Sequence, residues 1–165
     1  MKYTYKESSD ILREQYQRKN HDYGNSASLA YKKFGDVAYA VRLSDKLNRW
    51  QQLLKSESQV KDESLKDTVG DACTYCCMWL SEIYNAPVEF MFRAVALATF
   101  TRKLDYAIQP KPEYDFSHEA LVKLAEFDFI GQPNQEDAIL HLASIALDAY
   151  TNMLNKENDN VEKTT

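Results

Sequence analysis

Between Gly35 and Lys55 the apolar residues recur at three- and four-residue steps: Val37, Ala40, Val41, Leu43, Leu47, Trp50 and Leu54. About five turns of that spacing give one continuous apolar face, which the two-residue period of a strand cannot supply. The chain is therefore committed to at least one long amphipathic helix. A second periodic segment follows, in which Leu65, Val69, Ala72, Cys73, Cys76, Leu80 and Ile83 form one stripe. Past Asp71 this segment becomes apolar nearly all round (Cys76, Cys77, Met78, Trp79, Leu80), which predicts burial on more than one side. Asn85-Ala86-Pro87 ends it, and Pro87 is well placed to open a third helix over Val88 to Tyr106.

The rest of the chain reads the same way. Ser8-Ser9-Asp10 ahead of Ile11, Leu12 and Tyr16 predicts a capped helix ending before Asn20. His21 to Ser28 reads as a turn, because Gly24 permits positive φ and Asn25 and Ser26 can bond their own backbone. After a polar break from Lys55 to Lys61, the second periodic helix is expected to start at Asp62 or Glu63. Gln109-Pro110-Lys111-Pro112 is a stiff connector, Ser117 opens a helix ending near Phe127, and Gly131-Gln132-Pro133-Asn134 breaks the chain again. Gln135 to Asn155 is the last expected helix.

Only 4 glycines and 4 prolines punctuate 165 residues, too few for the reversals of a sandwich or barrel. The expected fold is all-α: a single-domain helical bundle of about five to six helices over residues 1–155. Its motif-bearing part is 19–84, its helical extension 88–155, and 156–165 a flexible tail.

A net charge of −5 disfavours a broad grip on extended nucleic acid, but a pocket for a small phosphorylated ligand needs only a few local cations. The three cysteines, Cys73, Cys76 and Cys77, lie inside one apolar run with no partner elsewhere, so buried, unpaired thiols in a reducing compartment are expected. The start of the chain lacks the apolar core of a signal peptide, and no stretch approaches the roughly 20 apolar residues of a membrane span. A cytoplasmic protein without membrane contact is expected.

Three groups of residues could carry chemistry. Arg42, Asp45, Lys46 and Arg49 share one strip of the long helix; three cations around one carboxylate suit phosphate oxygens, although a solvated face laced by ion pairs has the same spacing. Glu63, Asp67 and Asp71 lie at i, i+4 and i+8, where carboxylates repel one another and a hard cation such as Mg²⁺ reverses the sign. The helix dipole accounts for the first two acids in the opening turns. It does not account for Asp71, which lies at the mouth of the buried region, needs a partner, and stands beside Gly70, where another backbone can approach. The acidic strip points about half a turn away from the apolar stripe, so the long helix or another subunit must cover it. In the turn, His21 offers an acid or base near neutral pH, Asp22 a further ligand and Tyr23 a stacking ring. His118 and His141 have no paired acid at diagnostic spacing and read as structural.

The blocks K-N-H-D-Y-G-N-S (Lys19 to Ser26), R-L-S-D-K-L-N-R (Arg42 to Arg49) and D-E-S-L-K-D-T-V-G-D-A-C-T-Y (Asp62 to Tyr75), in this order, resemble the nucleotide-modification-associated helical domain of phages and their bacterial relatives. More loosely, the layout is similar to the all-α nucleotide pyrophosphohydrolases of the MazG and dimeric dUTPase kind. Asp71 stands for the aspartate of their E-x-x-D motif, with Thr68 at the glutamate position and Asp67 one residue further back. The resemblance implies a helical homodimer that binds Mg²⁺ and cleaves an NTP or dNTP to NMP and pyrophosphate by attack of a metal-bound water. On that reading Asp45, Glu63, Asp67 and Asp71 hold metal, with Glu63, Asp67 and Asp71 catalytic. Arg42, Lys46 and Arg49 bind phosphates, and His21, Asp22 and Tyr23 meet base or sugar. The rival readings are a non-catalytic binding module for a nucleotide or phosphorylated metabolite, and a helical oligomer whose polar strips are ion pairs between subunits.

Overall fold

The computed structural model describes residues 1–59, 63–111 and 114–164, and its regular elements are seven α-helices, with no strand among the described residues. They are α1 (Tyr5–Tyr23), α2 (Ser26–Phe34), α3 (Val37–Leu53), α4 (Leu65–Tyr84), α5 (Val88–Ile108), α6 (His118–Ala125) and α7 (Gln135–Thr164). The all-α expectation holds, with seven helices in place of five or six. The expected helix start at Asp62, the Pro112 part of the connector and the last residue of the tail lie outside the described residues. The alternative start at Glu63 is not taken: Ser64 caps α4, so Glu63 precedes the helix and does not share its face with Asp67 and Asp71.

The extra helix comes from the turn. Gly24 and Asn25 adopt left-handed φ of 57° and 58°, and those two residues complete the reversal. α1 therefore runs on to Tyr23, past the expected stop, and Ser26 begins α2. The cap of α1 also differs from expectation. Thr4 and Glu7 form a reciprocal capping box one turn before Ser8-Ser9-Asp10. Ser8 and Ser9 are instead buried within the helix, and the Ser9 hydroxyl donates to the Phe92 carbonyl at 2.6 Å. α7 continues past Asn155 because its polar residues find partners at the chain start. The Asn155 side chain accepts from the Tyr3 amide at 2.6 Å, the N-terminal ammonium meets Glu162 at 2.9 Å, and Asn158 donates to the Met1 carbonyl.

α4 is the central rod, packed against α3, α5 and α7, and its buried residues are Thr68, Val69, Gly70, Ala72, Cys73 and Cys76 to Leu80. The burial on several sides expected past Asp71 is present, and the three thiols are unpaired and buried as expected. At Gly70 the close approach is made by side chains, not by another backbone. A Cβ there would lie 2.9 Å from Leu12 Cδ2 and 3.2 Å from Tyr150 Cε2, so α1 and α7 meet α4 at that level. Trp79 stacks on Tyr39 and donates its indole N–H to Asp36 at 2.7 Å, which fixes the start of α3 against α4. No helix among the described residues is long and apolar enough to cross a membrane.

Candidate functional site at the junction of α1, α3 and α4

Leu43, Leu47 and Trp50 turn α3 into the core. That register sets Lys46 and Arg49 at the border between the packed face and water, on the side that faces α4. Lys46 Nζ lies 2.9 Å from Asp71 Oδ2, and each of the two side chains is 26% exposed. Lys19, from α1, approaches the other carboxylate oxygen at 2.8 Å. Asp71 thus joins three helices, with one ammonium on each oxygen. Burial disfavours the charge on Lys46, but the Asp71 hydrogen bond and negative charge outweigh it and raise its pKa above the ordinary 10.5.

Arg49 extends the junction toward the start of α4. Its Nε donates to Thr68 Oγ1 at 3.2 Å, while Nη2 donates to the Glu63 carbonyl at 2.8 Å and stands 3.5 Å from the Glu63 carboxylate. Cover for the acidic side of α4 therefore comes from α3, with Lys19 of α1 completing it around Asp71. Asp67 is engaged locally. Its Oδ2 accepts from the Ser64 amide at 3.0 Å and the Ser64 hydroxyl at 2.6 Å, closing the capping box of α4.

The other candidate residues stand apart from this junction. Arg42 donates to the Ala38 carbonyl of its own helix at 2.8 Å, and Asp45 is exposed. His21 and Asp22 pair with each other at 3.2 Å, and they and Tyr23 are largely exposed at the end of α1. Among the described residues no three of His, Cys, Asp and Glu gather as a set able to hold a metal ion. The donor set does not fit Mg²⁺ as it stands, because Asp71 presents both oxygens to ammonium groups and Asp67 is engaged by Ser64.

No protein-family model, curated protein or solved structure matches the chain. The function of the junction therefore rests on its own geometry.

Lys19 is the member that sequence reasoning missed. Leu12, Tyr16 and Lys19 follow steps of four and three, so Lys19 continues the inward face of α1, while His21 and Asp22 fall off it. That spacing was the available signal, and the richer chemistry of His-Asp-Tyr lies two residues too far along the helix.

A second polar cluster lies among α5, α7 and the segment before α6. Buried Arg102 donates to His141 Nδ1 at 3.3 Å and to Asp137 at 2.8 Å, and His141 Nε2 lies 3.0 Å from the Asp115 carbonyl. A carbonyl only accepts, so Nε2 carries the proton and Nδ1 accepts from Arg102. Burial and the Arg102 charge push the His141 pKa below its ordinary 6.5, and the ring is a neutral structural element.

Proposed function

We propose that the protein binds a nucleotide or another phosphorylated small molecule at the α1–α3–α4 junction, with Lys19, Lys46 and Arg49 directed to phosphate oxygens. The observation that carries this reading is the sharing of one carboxylate, Asp71, by two ammonium groups from different helices. One lysine neutralises Asp71. A second brought to the same carboxylate adds repulsion between the lysines and leaves the Lys19–Lys46–Asp71 triad with one positive charge in excess. A phosphate resolves that surplus. The Arg49 guanidinium one turn away, engaged with Thr68 and Glu63 in the folded chain, is a third cation that turns to the same ligand.

Thermal denaturation with NTPs, dNTPs, NMPs and pyrophosphate, each with and without Mg²⁺, tests the proposal. A ligand at about a hundred times its Kd stabilises by roughly 2.7 kcal/mol, a rise of about 5–10 °C for a chain this size. The rise should vanish in Lys46→Ala and Arg49→Ala, each measured against its own ligand-free melting point. No response to any phosphorylated compound would reduce the junction to an ion-pair clamp. Mg²⁺-dependent hydrolysis, which the resemblance implies, is the second reading, and it needs Glu63, Asp67 and Asp71 to exchange their present partners for the cation. Release of NMP and pyrophosphate that requires Mg²⁺ and is abolished in Asp71→Asn would establish it.

A further inference from the structure

α5 lays one face on the core and leaves another bare. Met91, Phe92, Val95, Ala96, Thr99 and Arg102 are buried, whereas Phe90, Leu97, Phe100, Leu104 and Ile108 are between 50 and 76% exposed. The exposed set has a seven-residue repeat: Phe90, Leu97 and Leu104 occupy one heptad position, and Arg93, Phe100 and Ala107 occupy the position three residues on. A repeat of that period along one strip is the pattern that seats against another helix.

We propose that this face is the seam of a two-fold dimer in which α5 packs antiparallel on α5 of a second copy. A second copy is selected because the stripe complements its own reverse. In an antiparallel pair the two heptad positions face each other. With the axis between Ala98 and Thr99, the layers are Phe90 on Ala107, Arg93 on Leu104 and Leu97 on Phe100, each occurring twice. Large meets small at the ends, and the bulk sits at the centre. Arg93, the charged member of these layers, is level with Leu104, and Asp105 of the second copy lies one residue, about 1.5 Å, further along the axis, so an anion stands beside the cation.

The area is also of the right order. Five apolar side chains at least half exposed offer roughly 100 Å² each, about 500 Å², against the roughly 800 Å² per partner of a standard interface. A groove of about 620 Å³ between α1, α5 and α7 borders the seam along Arg93, Ala96, Leu97 and Phe100, and its walls supply further contact.

Light scattering on the full chain after size exclusion tests the proposal. The wild type should show twice the 19.1 kDa chain mass. Leu97→Glu, which sets a carboxylate beside the axis at an exposed position, should halve that mass and leave the helical circular dichroism unchanged. Orientation is read by oxidising single-cysteine variants, since the native thiols are buried. At 1.5 Å per residue, the two copies of Leu97→Cys lie about 4.5 Å apart along the axis and those of Phe90→Cys about 25 Å. The first should cross-link and the second should not. A wild type that stays monomeric at about 100 μM, a dimer that survives Leu97→Glu, or cross-linking at 90 but not at 97 would each overturn the proposal.

Discussion

Asp71→Asn removes the negative charge that α1 and α3 share while keeping the size of the side chain. Exposed ion pairs contribute about 0–1 kcal/mol, and breaking a fully buried one costs about 3–5 kcal/mol. Lys46 and Asp71 are each 26% exposed, and Lys19 is 56% exposed, so the first contact lies between those limits and the second near the lower one. The variant should lose about 1.5–2.5 kcal/mol, because Lys46 keeps its partial burial, loses its counterion and still faces Lys19. For a chain of this length that is a fall of about 4–8 °C in Tm, with an unchanged urea m-value. Pyrophosphate should restore more stability to the variant than it adds to the wild type, since two ammonium groups there lack an anion. The alkaline limb supplies a second readout. The folded pKa of Lys46 is raised, so its contribution is complete below the ordinary 10.5 and disappears as pH climbs through the higher folded value. Asp71→Asn should flatten that limb. A loss below about 0.5 kcal/mol with an unchanged alkaline limb would show both lysines solvated and refute the reasoning.

Gly70→Ala gains about 1 kcal/mol of helix propensity but drives a methyl to 2.9 Å from Leu12 Cδ2, inside a site where Leu12 and Tyr150 are buried; a net loss of about 1 kcal/mol in urea denaturation is expected. His141 has a depressed folded pKa, so the unfolded chain binds the extra proton: its stabilising contribution is complete above the ordinary 6.5 and falls as pH drops below it. His141→Gln should therefore lower the slope of stability against pH just below 6.5, and equal slopes would place the ring in water. Burial raises the Cys76 and Cys77 thiols well above their ordinary range, so an aromatic disulfide reagent should label them only as fast as the chain unfolds; labelling within seconds in buffer would contradict their packing.

α3 and α4 were legible because their periodicity is a local property that tertiary packing reinforces: Leu43, Leu47 and Trp50, and Val69, Cys73, Cys76 and Leu80, are all buried. α2 was not, since in Ser26–Phe34 only Ala27 is buried and no apolar face announces a helix. The first cap was misplaced because hydroxyls favour caps, yet a serine is equally small enough for a core when a carbonyl accepts its proton, as Phe92 does for Ser9. The end of α7 depends on bonds from Asn155, Asn158 and Glu162 to residues 1–3, and no reading confined to a local window includes partners that far away. In the site, helical spacing put Lys46 and Arg49 on one strip and the acids on another, but left open whether α3 or another subunit faces those acids. What each acid is engaged with did not follow from spacing either.

Those engagements separate the two chemistries. Spacing alone makes Glu63, Asp67 and Asp71 one acidic strip, but in the folded chain Glu63 faces Arg49, Asp67 closes a cap with Ser64 and Asp71 holds Lys19 and Lys46. Seating a divalent cation on the strip requires all three acids to leave their partners, including a cap whose loss alone costs about 1 kcal/mol. Seating a phosphate requires Lys19 and Lys46 to turn from Asp71, and Arg49 from Thr68 and Glu63, while the Ser64–Asp67 cap stays closed. None of the groups involved lies on α5, so the two proposals separate experimentally. A Leu97→Glu monomer should keep the full thermal response to a phosphorylated ligand, whereas loss of that response together with the dimer would mean that a second copy completes the site and that the junction of α1, α3 and α4 is insufficient alone.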